Sequence, residues 1–191
     1  MEIELLKRDW LKLGEKYFED INFEKKIGKQ IIKKYSEKNR YYHNLNHISS
    51  MLDLADENQS EIVNYDEVLF AIWFHDIIYK ATSKKNEEKS ADFANSTLKE
   101  GLKIELDINK VYNLIISTKK HQILLDENND NAFLLDFDLS ILAANWNEYE
   151  YYIQNIRKEY KIYPYFVYNP ARKKVLESFV KREQLYFTKK Y

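Results

Sequence analysis

Residues 67–80 read EVLFAIWFHDIIYK, and this stretch is apolar on every side for about three helical turns. A helix without a polar face must be covered all round, so we expect this segment to run through the middle of a domain. The chain has only three glycines and two prolines in 191 residues, and helical spacing of apolar residues recurs along it. The sequence therefore predicts an all-α protein.

The same spacing predicts nine helices in one domain over residues 1–191, with no internal repeat and no low-complexity linker. Asp107 is expected to cap a helix, Gly101 to end one, and Asn169 to cap a helix that has Pro170 at its first position. The predicted helices cover residues 3–20, 23–38, 43–57, 65–79, 86–100, 107–120, 131–144, 146–161 and 170–186.

The composition excludes several classes of protein. Hydrophobic residues make up 45% and charged residues 32% of the chain, which is typical of a folded globular protein and not of a disordered one. A net charge of -1 gives no overall attraction to a nucleic acid polymer or an anionic membrane. There is no cysteine, which excludes disulfides, thiolate nucleophiles and zinc-thiolate sites. Because no stretch resembles a signal peptide or a membrane span, a cytoplasmic location is expected.

Ionisable residues interrupt the apolar runs. His75 and Asp76 lie inside the central stretch, where a buried carboxylate costs several kcal/mol unless it is paired or binds a metal. His43 and His47 stand at i and i+4, which on a helix places both imidazoles on one face. Further along, Asp136 and Asp138 interrupt NAFLLDFDLSILA, residues 131–143.

Each of these features has an ordinary structural explanation when it is taken alone. The histidine pair suits a solvated helix surface, and either aspartate suits a helix cap or a salt bridge. Together, His47, His75, Asp76 and one later aspartate form a set of two imidazoles and two carboxylates without sulfur. Such a set suits Mn, Fe, Co, Ni, Mg or Zn with positions left open for water and substrate. The combination predicts a catalytic divalent metal ion.

The order H…HD…D, formed by His47, His75-Asp76 and Asp138, resembles the HD-domain superfamily of metal-dependent phosphohydrolases. More specifically, seven motifs resemble, in order, a bacterial branch described as predicted HD-superfamily metal-dependent phosphohydrolases, and the similarity runs from about residue 35 onward. The resemblance implies a single-domain helical bundle of the HD type with about eight to nine helices. It also implies that these four residues bind the metal. The motifs are RYYHNLNHISSML, AIWFHDIIY, NEEKSA, STKKH, LDFDLSIL, YEYYIQNIRKEY and ARKKVLESFVKREQLY.

The element YHNLNHI also resembles the YHN-x-x-H element of cyclic-nucleotide phosphodiesterases. There the first histidine is a general acid and the second binds metal, which implies that His43 is the proton donor and that Asn44 supports it. Residues two apart on a helix point about 200° apart, so only one of Asp136 and Asp138 can face the metal. Asp138-Leu139-Ser140 resembles the aspartate-leucine-serine phrase of those enzymes, which favours Asp138 and leaves Asp136 a supporting or capping role.

Substrate contacts are predicted for a second group of residues. His121 ends a helix, where an imidazolium interacts well with the helix dipole, but it also suits a substrate phosphate or a second metal. The resemblance implies that Glu87 faces the site, although Asn86-Glu87 also suits a helix cap. Arginine suits phosphate recognition as well as surface packing, so Arg40, Arg157 and Arg172 are candidates for binding the substrate phosphate. Glu159 and Tyr160 are expected to orient Arg157.

The expected activity is hydrolysis of a phosphate ester or anhydride in a nucleotide or another small phosphorylated metabolite. Asp76 or Asp138 would help orient or deprotonate the attacking water, and His43 would protonate the leaving group. Three alternatives stay open at this point: a metal or nucleotide sensor without hydrolysis, a di-iron oxygenase that uses His121 as an extra ligand, and a helical scaffold without a site. The aromatic stretch 149–168 suits a homodimer contact, base stacking or a pocket wall.

Overall fold

A computed structural model of the protein describes residues 3–190 and, over that range, contains nine α-helices, which confirms the all-α prediction. Two single-turn 3₁₀ helices, Gln59–Glu61 and Ser140–Ala143, lie in the connections after the third and the seventh α-helix. The one strand-like contact in this range is an isolated bridge between Phe18 and Leu102. The helices are α1 (Ile3–Tyr17), α2 (Ile21–Tyr35), α3 (Leu45–Glu57), α4 (Tyr65–Phe74), α5 (Asn86–Gly101), α6 (Ile108–Thr118), α7 (Asp130–Leu139), α8 (Trp146–Glu159) and α9 (Tyr165–Val180).

Two predicted helix ends match the structure. The side chain of Asp107 accepts a hydrogen bond of 2.9 Å from the backbone N–H of Lys110 and so caps α6. Gly101 is the last residue of α5. It lies so close to α2 that an added Cβ would stand 2.3 Å from a ring carbon of Phe23, so this helix end requires glycine for packing.

The last helix starts earlier than the sequence predicts. It begins at Tyr165, directly after Pro164, and Pro170 lies inside it, so the prediction that Asn169 caps a helix starting at Pro170 is wrong. Pro164 has the extended backbone of an N-cap residue. Pro170 is the sixth residue of α9 and lies beyond the first turn, so the helix lacks the hydrogen bond that another residue at this position would donate to the carbonyl oxygen of Phe166.

Helix α4 lies at the centre, as its lack of a polar face predicts. Its residues from Phe70 to Phe74 are at most 1% exposed, and α3, α5, α6 and α7 all pack against it. Trp10 of α1 meets the rings of Trp73 and Phe74 edge-on, with centroids 5.8 and 5.9 Å away. Five helices therefore pack around α4, and its C-terminal end leads to a cavity.

The outer helices α8 and α9 close the fold around that end. Within α9 no residue is buried, yet one side of the helix lines the cavity described below. The segment after α9 is tied back to α7, because the carboxylate of Asp136 accepts hydrogen bonds from the backbone N–H groups of Phe187 and Thr188. Within residues 3–190, none of the helices has the length and apolar character that crossing a bilayer requires. The cytoplasmic location stays a prediction.

Candidate metal centre

Three segments that are distant in sequence supply the metal-binding candidates. His47 lies in the first turn of α3, Asp138 lies near the end of α7, and His75 and Asp76 directly follow the last residue of α4. Helices α3 and α7 both pack against α4. Their side chains therefore meet at the point where the central helix stops.

Helix α4 stops there because side chains replace the next helical hydrogen bonds. The guanidinium of Arg40 donates to the carbonyl oxygens of Asp76 and Ile77, at 2.7 and 2.9 Å. The hydroxyl of Tyr35 lies 3.2 Å from the backbone nitrogen of Asp76, and the hydroxyl of Ser90 lies 3.1 Å from that of Ile78. The prediction that this helix continues to residue 79 is therefore wrong, and His75-Asp76 occupies a turn instead.

The four predicted ligands converge. Nε2 of His47 lies 3.3 Å from Nε2 of His75 and 3.2 Å from Oδ1 of Asp138. Nε2 of His75 lies 3.4 Å from Oδ2 of Asp76 and 3.9 Å from Oδ1 of Asp138. In addition, His47, His75 and Asp76 each offer one ligand atom within 4.8 Å of the other two. These three residues could hold a metal ion, and Asp138 lies beside the two histidines.

The donor set fits a divalent cation. Ligand atoms about 2.1 Å from one ion stand roughly 3.0–3.4 Å from each other at neighbouring positions, which matches most of the separations above. Nδ1 of His75 lies 2.9 Å from the carbonyl oxygen of Ile72. Burial would lower the pKa of His75, but the carboxylate of Asp76 raises it to about 9, so the ring must release a proton to bind a metal. In the neutral ring this hydrogen bond holds the proton on Nδ1, so that the lone pair of Nε2 faces the cluster. Nitrogen and oxygen donors without sulfur suit Mn, Fe, Co, Ni, Mg or Zn.

Close packing of these groups shifts their pKa values. Burial alone would raise the pKa of Asp138, but hydrogen bonds from His121 and His47 hold it well below its ordinary value. Burial likewise opposes ionisation of Asp76, yet the neighbouring His75 and His43 lower its pKa. Burial lowers the pKa of His47. Both aspartates are therefore ionised at neutral pH, as metal ligands must be.

His43 reaches the site from a turn and not from a helix. Asn44 caps α3, so His43 precedes the first helical residue, and the expectation of two histidines on one helical face is wrong. Nevertheless His43 comes close to the cluster, with its Nε2 4.0 Å from Oδ2 of Asp76. Its other ring nitrogen, Nδ1, lies 2.6 Å from Oε2 of Glu159, whose side chain is 1% exposed.

Glu159 is a site residue that the sequence did not identify. It was expected to orient Arg157, but its carboxylate instead accepts hydrogen bonds from the backbone N–H groups of Tyr42 and His43 and from the hydroxyl of Tyr79. Burial opposes ionisation of Glu159, but these donors and the His43 ring lower its pKa. No local pattern in IRKEY marks this role, because the partners of Glu159 lie far away in sequence.

The carboxylates of Asp76 and Glu159 also shift the pKa of His43. Burial by itself would lower the pKa of the His43 imidazole, but the negative charges of Asp76 and Glu159 raise it above the ordinary value. The ring also stacks on Tyr79, with centroids 4.4 Å apart. His43 is thus held in one orientation and is biased toward the protonated form that a general acid needs.

A cavity of about 280 Å³ opens beside the cluster. His43, His75, Asp76 and Asp138 line it on one side, and Leu139, Tyr152, Arg172 and Phe179 are among the residues on the others. Three of the predicted substrate contacts, Glu87, His121 and Arg172, line this cavity, and Nε2 of His121 lies 3.0 Å from Oδ2 of Asp138. His47 instead faces a wider cavity of about 850 Å³ between α3 and α8.

The structure does not bring Arg40 to the cavity. Its side chain is 1% exposed, and besides the carbonyl groups of Asp76 and Ile77 it donates to the carbonyl oxygen of His43 at 3.1 Å. Arg40 therefore joins the turn that carries His43 to the turn that carries Asp76. This buried position corrects the expected substrate contact to a structural one.

Arg157, Asn44 and Asp136 also lie away from the cavity. The guanidinium of Arg157 donates to the carbonyl oxygens of Tyr160 and Tyr163 and so braces the turn between α8 and α9, while its role in substrate binding stays a prediction. Asn44 caps α3 by accepting from the backbone N–H of Asn46, and it lines the wider cavity that His47 also faces, so its substrate contact stays a prediction. Asp136 holds the C-terminal segment, while Asp138 faces the cluster.

Comparisons of this chain with protein-family models, with curated proteins and with solved structures found no match. The relation to the HD-domain superfamily therefore stays a resemblance of sequence motifs.

Proposed function

We propose that this protein is a metal-dependent phosphohydrolase of the HD type that acts on a nucleotide or another small phosphorylated molecule. One observation carries the proposal. The nitrogen and oxygen donors of His47, His75, Asp76 and Asp138 meet beside a histidine whose second ring nitrogen is held by a buried carboxylate. A cluster that can bind a metal, next to a proton donor and a cavity, is an arrangement that suits hydrolysis of a phosphate ester.

The metal ligands in this proposal are His47, His75, Asp76 and Asp138, which is the set that the sequence resemblance implies. A divalent ion held there supplies Lewis-acid polarisation of a phosphoryl oxygen and lowers the pKa of water. The chain itself orients the ligands, since the Nδ1 proton of His75 is held by the carbonyl oxygen of Ile72.

His43 acts as the general acid. Its Nδ1 is fixed by Glu159, and its Nε2 points toward Asp76 and the cavity, so the Nε2 proton is the one available to a leaving group. During hydrolysis an oxygen of water attacks phosphorus, the bond from phosphorus to the leaving oxygen breaks, and that oxygen takes the proton of His43. Asp76, within 4.0 Å of His43, orients the water and accepts its proton.

The proposal is tested with metal-free protein reloaded separately with Mn²⁺, Co²⁺, Ni²⁺ and Mg²⁺ and incubated with a panel of phosphorylated metabolites. We expect sustained release of phosphate with at least one metal and no release from a His75→Ala variant. Metal binding without any turnover would instead support a binding module. Two irons per chain in an anaerobic metal analysis would favour a di-iron oxygenase.

A further inference from the structure

The cavity beside the cluster carries very little positive charge. Among the residues of 3–190 that line it, Arg172 is the only lysine or arginine, whereas Asp76, Glu87 and Asp138 contribute carboxylates. A divalent ion would offset the two carboxylates of the cluster. Glu87 adds a further negative charge, so the guanidinium of Arg172 and the protonated form of His43 are left to meet the negative charge of a substrate, which suits a single phosphoryl group better than a chain of phosphates.

The rest of the cavity wall is largely apolar and aromatic. Leu139, Leu142 and Val175 contribute aliphatic surface. With a volume of about 280 Å³, the cavity is at the small end of the range for ligand sites, roughly 300–1,000 Å³. Such a wall favours a flat or apolar group on the substrate over a sugar chain rich in hydroxyls. Five rings face the cavity, those of Tyr42, Tyr152, Tyr160, Tyr168 and Phe179.

Arg172 is held in place by an aromatic side chain. It donates a hydrogen bond of 2.7 Å to the hydroxyl of Tyr152, and its guanidinium lies over the same ring at 5.3 Å. The Tyr152 ring in turn packs against Tyr42 with centroids 4.6 Å apart, and Tyr42 packs against His47 at 5.0 Å. The bond to Tyr152 uses one of the five N–H donors of a guanidinium, which leaves a fork that can receive an anion.

Building on the proposed function, we propose that the substrate is a phosphomonoester with one phosphoryl group on an aromatic or apolar body, and that Arg172 contacts its anionic end. Nucleoside triphosphates carry more negative charge for the same guanidinium, and glycerol phosphates offer nothing for the ring-lined wall to bind. Both classes are therefore poor substrates. Arg172 thereby determines specificity from α9, a helix that contributes no metal ligand.

Binding is tested first, without turnover. Phenylphosphonate, which cannot be hydrolysed, is titrated calorimetrically into Mn²⁺-loaded protein. We expect Arg172→Gln to weaken binding by about tenfold or more, because a charge-assisted contact is lost. The matched control is Lys173→Gln, which removes the same charge from the next residue of α9, where the side chain is 76% exposed. The control should bind within about twofold of the unaltered protein. Equal weakening in both variants would overturn the proposal.

Turnover is tested second, with phenyl phosphate, a nucleoside monophosphate, ATP and glycerol 3-phosphate. We expect kcat/KM to be highest for the first two, and we expect Arg172→Gln to raise KM more than it lowers kcat. Tyr152→Phe keeps the guanidinium and removes only its hydrogen bond, so a smaller rise in KM is expected. A purely structural Arg172 would instead lower the melting temperature and leave the order of substrates unchanged, which would overturn the inference.

The two proposals fail in different ways. Phenylphosphonate binding that depends on Arg172, without hydrolysis of any ester, would contradict the proposed function and support the inference about the ligand. Efficient hydrolysis of ATP that is insensitive to Arg172→Gln would support a phosphohydrolase and contradict the inference. Absence of both binding and turnover would contradict both.

Discussion

Nδ1 of His43 lies 2.6 Å from Oε2 of Glu159, although the two residues are 116 positions apart in the chain. The same carboxylate accepts the backbone N–H groups of Tyr42 and His43, at 2.8 and 3.0 Å. Glu159 therefore fixes both the backbone and the ring of His43. The opposite ring nitrogen is left facing Asp76 and the cavity.

This relationship predicts that His43→Ala keeps the metal and loses turnover. Loss of a general acid lowers kcat by about 10²–10⁴-fold. Glu159→Gln should lower kcat by roughly 10–100-fold, because an amide can still contact the ring but no longer stabilises an imidazolium. The measurements are the metal content of each purified variant and its steady-state kinetics on the best substrate of the panel.

A structural role for Glu159 alone would give a different pattern. Glu159→Gln would then lower the melting temperature while the shape of the pH profile of kcat stayed unchanged. Loss of the metal from His43→Ala would show that His43 is a ligand and would overturn its assignment as the proton donor.

Altering a cluster residue should weaken metal binding. His75→Ala removes one donor and Asp138→Asn replaces a carboxylate with a neutral amide, and for each we expect metal affinity to fall by at least about 10–100-fold, with loss of turnover. Asp136→Asn is the matched control on α7, because the carboxylate of Asp136 binds the backbone N–H groups of Phe187 and Thr188, whereas that of Asp138 contacts His47 and His121. Calorimetric titration with Mn²⁺ measures the metal affinity of all three variants. A stronger loss in Asp136→Asn than in Asp138→Asn would contradict the ligand assignment.

Arg40→Lys should destabilise the protein although it keeps the charge. The guanidinium bonds three backbone carbonyl groups in a site that is 1% exposed, and a single ammonium cannot reproduce that fork. We expect the free energy of unfolding to fall by about 2–4 kcal/mol, measured by urea denaturation. Arg8→Lys, on the exposed face of α1, is the control. If Arg40 contacted substrate, KM would rise while stability stayed constant.

Asp130 should make stability depend on acid pH. Burial alone would raise its pKa, but hydrogen bonds from Asn64, the ion pair with Lys110 at 3.1 Å and backbone N–H donors lower it below the ordinary 3.8. A pKa that is lower in the folded state adds stability above the unfolded value. That stability is lost as the pH falls through the folded value.

Asp130→Asn is therefore expected to lower the free energy of unfolding by about 2–4 kcal/mol at neutral pH. The difference in free energy of unfolding between this variant and the unaltered protein should shrink as the pH falls below about 4. Urea denaturation at several pH values measures it. Asp20→Asn is the control, because asparagine caps α2 as well as aspartate does and no such convergence should appear. A difference that stays constant down to acid pH would contradict the prediction.

The sequence by itself determined the helical class and the existence and order of the helices. Apolar spacing is a local property, and the central position of α4 follows from its lack of a polar face. The cap at Asp107 was also predictable, because it depends only on a hydrogen bond to a residue three positions away. The candidate ligands stood out because ionisable residues in apolar runs carry a desolvation cost that must be met.

Only the tertiary structure decided how the functional side chains are used. The end of α4 at Phe74 depends on Arg40 and Tyr35, which compete for backbone groups from 36 to 41 residues away. The role of Glu159 depends in the same way on His43, and the place of Arg172 depends on the packing of Tyr152. Hydrogen bonds between distant residues leave no periodic trace in a sequence, since their partners become neighbours only when the helices pack.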